Sequence, residues 1–127
     1  MERIARHAAS IGLLISEIRH STKLRAKQTA EILADHLSPA RGIREVDFLA
    51  PSADPGQAQG LAETAAEPLM LVGHLPHLAR LASLLLAGDP DREVVRFRTG
   101  AIARLDRTDR GWVLAWMLTP DSVGPAA

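Results

Sequence analysis

Two short junctions carry the side chains best suited to chemistry. One reads His20-Ser21-Thr22, with Arg25 three residues further on. The other reads Gly73-His74, followed by Pro76 and His77. Each comes after a stretch with strand character and before one with helix character. In open α/β sheets, ligands sit beyond the carboxyl ends of the strands. Helix starts at that edge offer free backbone N–H groups and a positive dipole end. A guanidinium one turn into such a helix can grip an oxyanion with two donors. Arg25 therefore points to an anionic ligand, most naturally a phosphoryl group.

His74 offers a second set of functions. Gly73 is expected to let the backbone turn tightly, and Pro76 to fix the exit into the helix. The imidazole would then project from a rigid point. It can donate to a phosphoryl oxygen and stabilise charge in the transition state. As a neutral ring it can act as base or nucleophile. Ser21 and Gly73 are expected to support the site. Structural readings stand beside these. His74 also fits a solvated turn, and Arg25 a surface position on a helix that carries Lys23 and Lys27. His20 reads as a plain strand-end residue, His7 and His36 as solvated helix positions, and His77 as exposed on its helix. Trp112 and Trp116 share a strand face and read as core packing.

The elements that must position these residues can be read from periodicity. Residues 2–11 form a helix with Ile4, Ala8 and Ile11 on one face and Gly12 as its stop. It has no capping residue of its own. A short strand is expected over 17–21. A helix follows over 22–37, capped by Ser21 or Thr22, with Ala26, Ala30, Leu33 and Leu37 as its stripe. Residues 39–59 are mostly loop with a short strand near 44–49, and a weak helix covers roughly 56–66. Leu69-Met70-Leu71-Val72 is a continuous apolar run, which suits a strand buried on both faces. In the next helix Leu78, Leu81, Ala82 and Leu85 face inward, and Gly88 ends it. Three strands, 93–98, 101–106 and 112–118, then form a meander with turns at Thr99-Gly100 and Asp109-Arg110-Gly111. The expectation is one α/β domain over 1–119, parallel units first and antiparallel strands last, with a loose tail over 120–127.

Composition excludes several classes. The 127 residues carry no net charge, and two Phe and two Trp offer little for base stacking, so a nucleic-acid partner is not expected. Cys is absent, which removes disulfides and thiolate metal sites. No metal or other cofactor is expected. The apolar runs fall short of the roughly 20 residues that span a bilayer. No signal peptide is evident at Met1, and a cytoplasmic protein with no membrane partner is the expectation.

"HSTKLRAKQTAEIL", "LMLVGHLPHLARLASLLLAG" and "RFRTGAIARLD...GWVLAWMLTP" occur here in that order. Together they resemble the histidine phosphatase superfamily, and most closely the short SixA-type phosphohistidine phosphatases, over about residues 1–120. The resemblance implies a phosphoglycerate mutase-like α/β fold, a mixed sheet with flanking helices. It implies hydrolysis of phosphohistidine on a phosphotransfer or signalling protein, through a phosphohistidine enzyme intermediate and without a cofactor. Arg25 matches the family arginine that grips the phosphoryl group. His74 matches the second conserved histidine, which contacts the same group. Thr99 and Gly100 match a structural turn.

One motif is missing. The family nucleophile lies in an Arg-His-Gly stretch that ends the first, central strand, and no Arg-His-Gly occurs in this chain. The nearest string, Arg6-His7-Ala8, lies inside the first helix. By that comparison the chain lacks the first central strand and its nucleophile, and it is expected to be inactive as it stands. The alternative is a pseudo-phosphatase, a module that binds phosphate or a phosphorylated protein without turning it over. A member acting on a small phosphoester is a third possibility.

Overall fold

Leu69-Met70-Leu71-Val72 is apolar on both of its sides, and the fold covers both. In the computed structural model, which describes residues 1–122, this run is one of three parallel strands between two pairs of helices. The chain runs through α1 (Glu2–Ser10), β1 (Glu17–His20), α2 (Leu24–Leu37), β2 (Ile43–Glu45), α3 (Gly56–Thr64), β3 (Leu69–Val72) and α4 (His77–Ala87). It ends in β4 (Ile102–Thr108) and β5 (Gly111–Leu118).

The parallel sheet has the order β2-β1-β3. Met70 and Val72 point to one face, where they pack with Ile18, Ala5 of α1, and Ala26, Ala30 and Leu33 of α2. Leu71 points to the other face and joins Leu49, Ala58 of α3, and Leu78, Leu81 and Leu85 of α4. The period of two in β3 thus feeds two separate cores, one on each side. Leu49 is fully buried although it lies in a loop.

The helices follow the expected stripes, with differences at their ends. On α1 the buried residues are Ile4, Ala5 and Ala8, while Ile11 is half exposed beyond the last turn. No side chain caps α1 or α2. The expected cap of α2 at Ser21 or Thr22 is corrected: the helix begins at Leu24 with Lys23 at the cap position. The Ser21 hydroxyl does accept the Lys23 N–H, at 3.2 Å. Gly88 ends α4 in the left-handed conformation, with φ of 74°, and its N–H returns to the Leu84 carbonyl.

The expected three-stranded meander is a two-stranded hairpin. β4 and β5 pair antiparallel, with an irregularity between Arg104 and Leu105. Residues 93–98 alternate in burial at Val95 and Phe97 but pair with no strand. The strand expected over 44–49 is only the three residues of β2. The parallel sheet and the hairpin share no hydrogen-bonded ladder among the described residues. A cleft separates β3 from β4. Of the tail, Thr119 and Ser122 close a hydrogen-bonded turn, and the rest lies outside the described residues.

Candidate functional site

β1 and β3 are adjacent and parallel, and their ends are in register, with His20 opposite Val72. The Ser21 N–H continues the ladder to the Val72 carbonyl at 3.1 Å. The residues that follow each strand must therefore emerge side by side at the carboxyl edge of the sheet. That is how residues far apart in sequence share one site. Ser21 Oγ lies 2.6 Å from His74 Nε2.

The protons of this pair can be placed. Ser21 Oγ accepts the Lys23 N–H. Its own proton is then available to donate to Nε2 of a neutral His74. In that state Nδ1 carries the ring proton and is left as a donor, with no partner among the described residues. Burial lowers the His74 pKa from its ordinary value, and the nearby Lys23 and Arg25 cations lower it further. The ring is held in the form that keeps Nδ1–H as a donor near neutral pH.

Arg25 lies exposed in the first turn of α2, and it lines the same cleft as His74, Lys23 and Gly73. Of the expected site residues, the fold thus brings Arg25, His74 and Gly73 to one cleft and joins Ser21 to His74. The role expected of Gly73 changes. It does not adopt a positive φ. It is needed for close approach: a Cβ there would stand 3.3 Å from the Leu49 carbonyl oxygen and 3.5 Å from Leu78 Cδ2. Lys23 is a site residue that sequence reasoning took as surface. The signal available was its position two residues ahead of Arg25, at the helix start.

The other histidines separate clearly. His20 is buried, and its Nδ1–H donates to the Ser21 carbonyl at 2.8 Å. It does not line the cleft. His36 meets Glu2, with Nε2 to Oε2 at 2.7 Å. His77, expected to be exposed, is fully buried, and neither ring nitrogen has a hydrogen-bond partner. Burial lowers its pKa, and the Asp54 backbone carbonyl opposes that without reaching hydrogen-bond geometry. His77 is the first residue of α4, and its ring turns inward from there and not to solvent. Trp112 and Trp116 are half-buried and line the cleft, not a closed core. The Arg107 guanidinium sits 5.9 Å from the centre of the Trp112 ring. Among the described residues no three His, Asp or Glu side chains cluster as a metal site would require, and no helix is long and apolar enough to cross a membrane.

No protein-family model and no curated protein matches the sequence. Solved structures do match its fold. One is the protein histidine phosphatase SixA complexed with tungstate, with a TM-score of 0.82 and 24% identity over 97% of this chain and 81% of that one. Another is a putative phosphohistidine phosphatase SixA from Agrobacterium tumefaciens, with a TM-score of 0.72 and 26% identity over 94% of this chain and 79% of that one. The chain therefore has the SixA-type histidine phosphatase fold.

Proposed function

We propose that this chain is the phosphate-holding part of a phosphohistidine phosphatase, acting on a phosphorylated phosphotransfer or signalling protein in the cytoplasm. The observation that carries the reading is the shared cleft of Arg25 and His74 at the carboxyl edge of the sheet. A solved protein of the same fold holds tungstate, a tetrahedral oxyanion like phosphate. In this reading Arg25 grips two phosphoryl oxygens, and His74 donates from Nδ1 to the same group. His74 is the catalytic residue of the pair, since its donor can follow charge that develops on the phosphoryl oxygens. Ser21 holds the His74 ring, and Gly73 lets β3 pass close to Leu49. The unit spans 1–119.

Covalent transfer needs an imidazole in line with the leaving group and about 3–3.5 Å from phosphorus. Among the described residues only His74 brings an imidazole to the cleft wall, and Ser21 occupies its Nε2. In this reading the attacking histidine is not among the described residues that line the cleft, and the chain alone binds phosphate without turning it over.

The test is phosphate release from a phosphohistidine-bearing protein. The chain alone is expected to give the spontaneous rate, and a version extended by an apolar strand ending in Arg-His-Gly is expected to give catalysed release. Family-rate release by the chain alone would overturn the proposal for the nucleophile. The pseudo-phosphatase reading is favoured by the same lack of an attacking imidazole. It predicts tight binding of the phosphorylated protein and no release from the extended version.

A further inference from the structure

Most charged side chains that line the cleft are already matched. Glu67 meets Arg41, Arg98 meets Asp121, and Arg104 meets Asp106. Arg107 donates to the Glu63 and Ala65 carbonyls. Lys23 and Arg25 differ: neither side chain has an anionic or hydrogen-bonding partner among the described residues. The helix they open, α2, has no acidic residue in its first turn and no side-chain cap. Two cations and an uncompensated helix start thus share one end of the cleft, and they repel until an anion enters.

The clamp described above uses Arg25 and leaves Lys23 without a role. Lys23 nevertheless belongs to the surroundings of His74. Its backbone N–H donates to Ser21 Oγ at 3.2 Å, and that oxygen lies 2.6 Å from His74 Nε2. After burial, its charge is the next influence that lowers the His74 pKa, ahead of Arg25. Residues two apart on a continuous helix do not face one another. Lys23 escapes that rule because its backbone is extended, with φ of −77° and ψ of 142°. Leu24 stands between the two cations in sequence, yet it is exposed and does not line the cleft. Lys27, one turn along α2, does not line it either.

We propose that Lys23 is a specificity-determining residue of the anion site, supplying a second positive charge so that the site selects a doubly charged oxyanion over a singly charged one. The inference rests on the reading of Arg25 and His74 as a phosphoryl clamp. A terminal phosphoryl group carries about −1.5 to −2 at neutral pH. Arg25 offsets one charge and a neutral His74 offsets none, so those two alone match a monoanion. A lysine ammonium is a point charge and not a two-donor fork. What it discriminates is therefore the amount of charge and not the arrangement of oxygens. A phosphodiester, with its single charge, is disfavoured.

The probes are sulfate and perchlorate, tetrahedral oxyanions of like shape with two charges and one. Affinities are read from the ¹⁵N shifts of the His74 ring at pH 8 and constant low ionic strength, where screening is small. Coulomb energy scales with the charge of the anion, so losing one cation costs a dianion twice the free energy it costs a monoanion. Lys23→Gln should weaken sulfate about three- to tenfold and perchlorate by about the square root of that factor. Lys23→Arg keeps the charge and should restore the preference for sulfate. The side chain is exposed, and both variants keep the backbone N–H that meets Ser21, so both should melt as the parent does. Equal fold-losses for the two anions in Lys23→Gln would give Lys23 a structural role and overturn the proposal. Loss for neither would also overturn it, and would leave Lys23 to a carboxylate on the partner protein. Arg25→Ala separates the two readings. If it weakens sulfate while Lys23→Gln does not, only the present inference falls. If it leaves sulfate binding unchanged, the phosphoryl clamp falls and this inference falls with it.

Discussion

Ser21 and His74 stand 53 residues apart in the chain and are joined by a 2.6 Å hydrogen bond across the ends of two neighbouring strands. The bond exists because β1 and β3 are in register, so the residue after each strand emerges beside the other. It fixes which ring nitrogen of His74 faces outward. Replacing Ser21 with Ala removes the partner of Nε2 and frees the ring to rotate. Sulfate affinity should fall about three- to tenfold, in line with one neutral hydrogen bond of ~1 kcal/mol. The ¹⁵N chemical shifts of His74 should move from a single tautomer to a mixture, and unchanged shifts would show that Ser21 does not hold the ring.

Arg25 is exposed, so changing it should leave stability nearly intact. Arg25→Ala should weaken sulfate and tungstate binding by roughly 10- to 100-fold, the range for a charge-assisted pair. Arg25→Lys keeps the charge and loses the two-donor fork, so it should recover only part of the loss. Calorimetric titration gives both numbers, with thermal melting as the control for folding.

The His74 pKa is lowered by burial first, then by Lys23 and Arg25. A bound anion favours the protonated ring and shifts that pKa back up. Sulfate, which does not titrate in this range, should therefore bind more tightly as pH falls below about 6.5. His74→Gln should flatten the dependence. Measured affinity that is level from pH 5 to 8 in the unaltered chain would remove His74 from the anion site.

His77 is buried with both ring nitrogens unpartnered, and burial lowers its pKa. The folded state therefore binds fewer protons than the unfolded state below the ordinary histidine value. Stability is retained above about pH 6.5 and is lost as pH falls through the lowered folded-state value. His77→Leu removes the unpaired ring, which costs about 1–3 kcal/mol to bury. The variant should unfold at higher urea than the parent at pH 5, with a smaller gain at pH 7.5.

Gly73 is required by its neighbour's backbone and not by a special φ. Gly73→Ala places a methyl against the Leu49 carbonyl, which cannot move aside as a side chain would. A loss of about 1–2 kcal/mol is expected, together with weaker sulfate binding because His74 is the next residue. A variant as stable as the parent would show that the loop around Leu49 gives way.

The parts of this fold legible in the sequence are those whose signal is local. The apolar run of β3, the stripe of α2 and the Gly88 stop of α4 each appear where the residues place them. Arg25 and His74 were legible as site candidates because each follows a strand and opens a helix, which fixes their edge of the sheet. What could not be read depends on partners. Residues 93–98 alternate like a strand, but a strand also needs an edge to pair with, and none reaches them. His77 looks exposed by its polarity, yet the packing of α3 against α4 encloses it. The two tryptophans were expected on one strand face, but the irregularity opposite Arg104 and Leu105 pairs Trp116 with Arg104 and Trp112 with Arg107, on alternate faces of β4, and both line an open cleft.

Arg107 extends from β4 to the far end of α3, where its guanidinium donates to the Glu63 and Ala65 carbonyls. Those residues lie 44 and 42 positions away, and α3 has no basic residue of its own in its last turn. With two glycines in nine residues, α3 has little helical tendency to fall back on. The hairpin thus ties down the carboxyl end of α3, and the two should melt together as one cooperative unit.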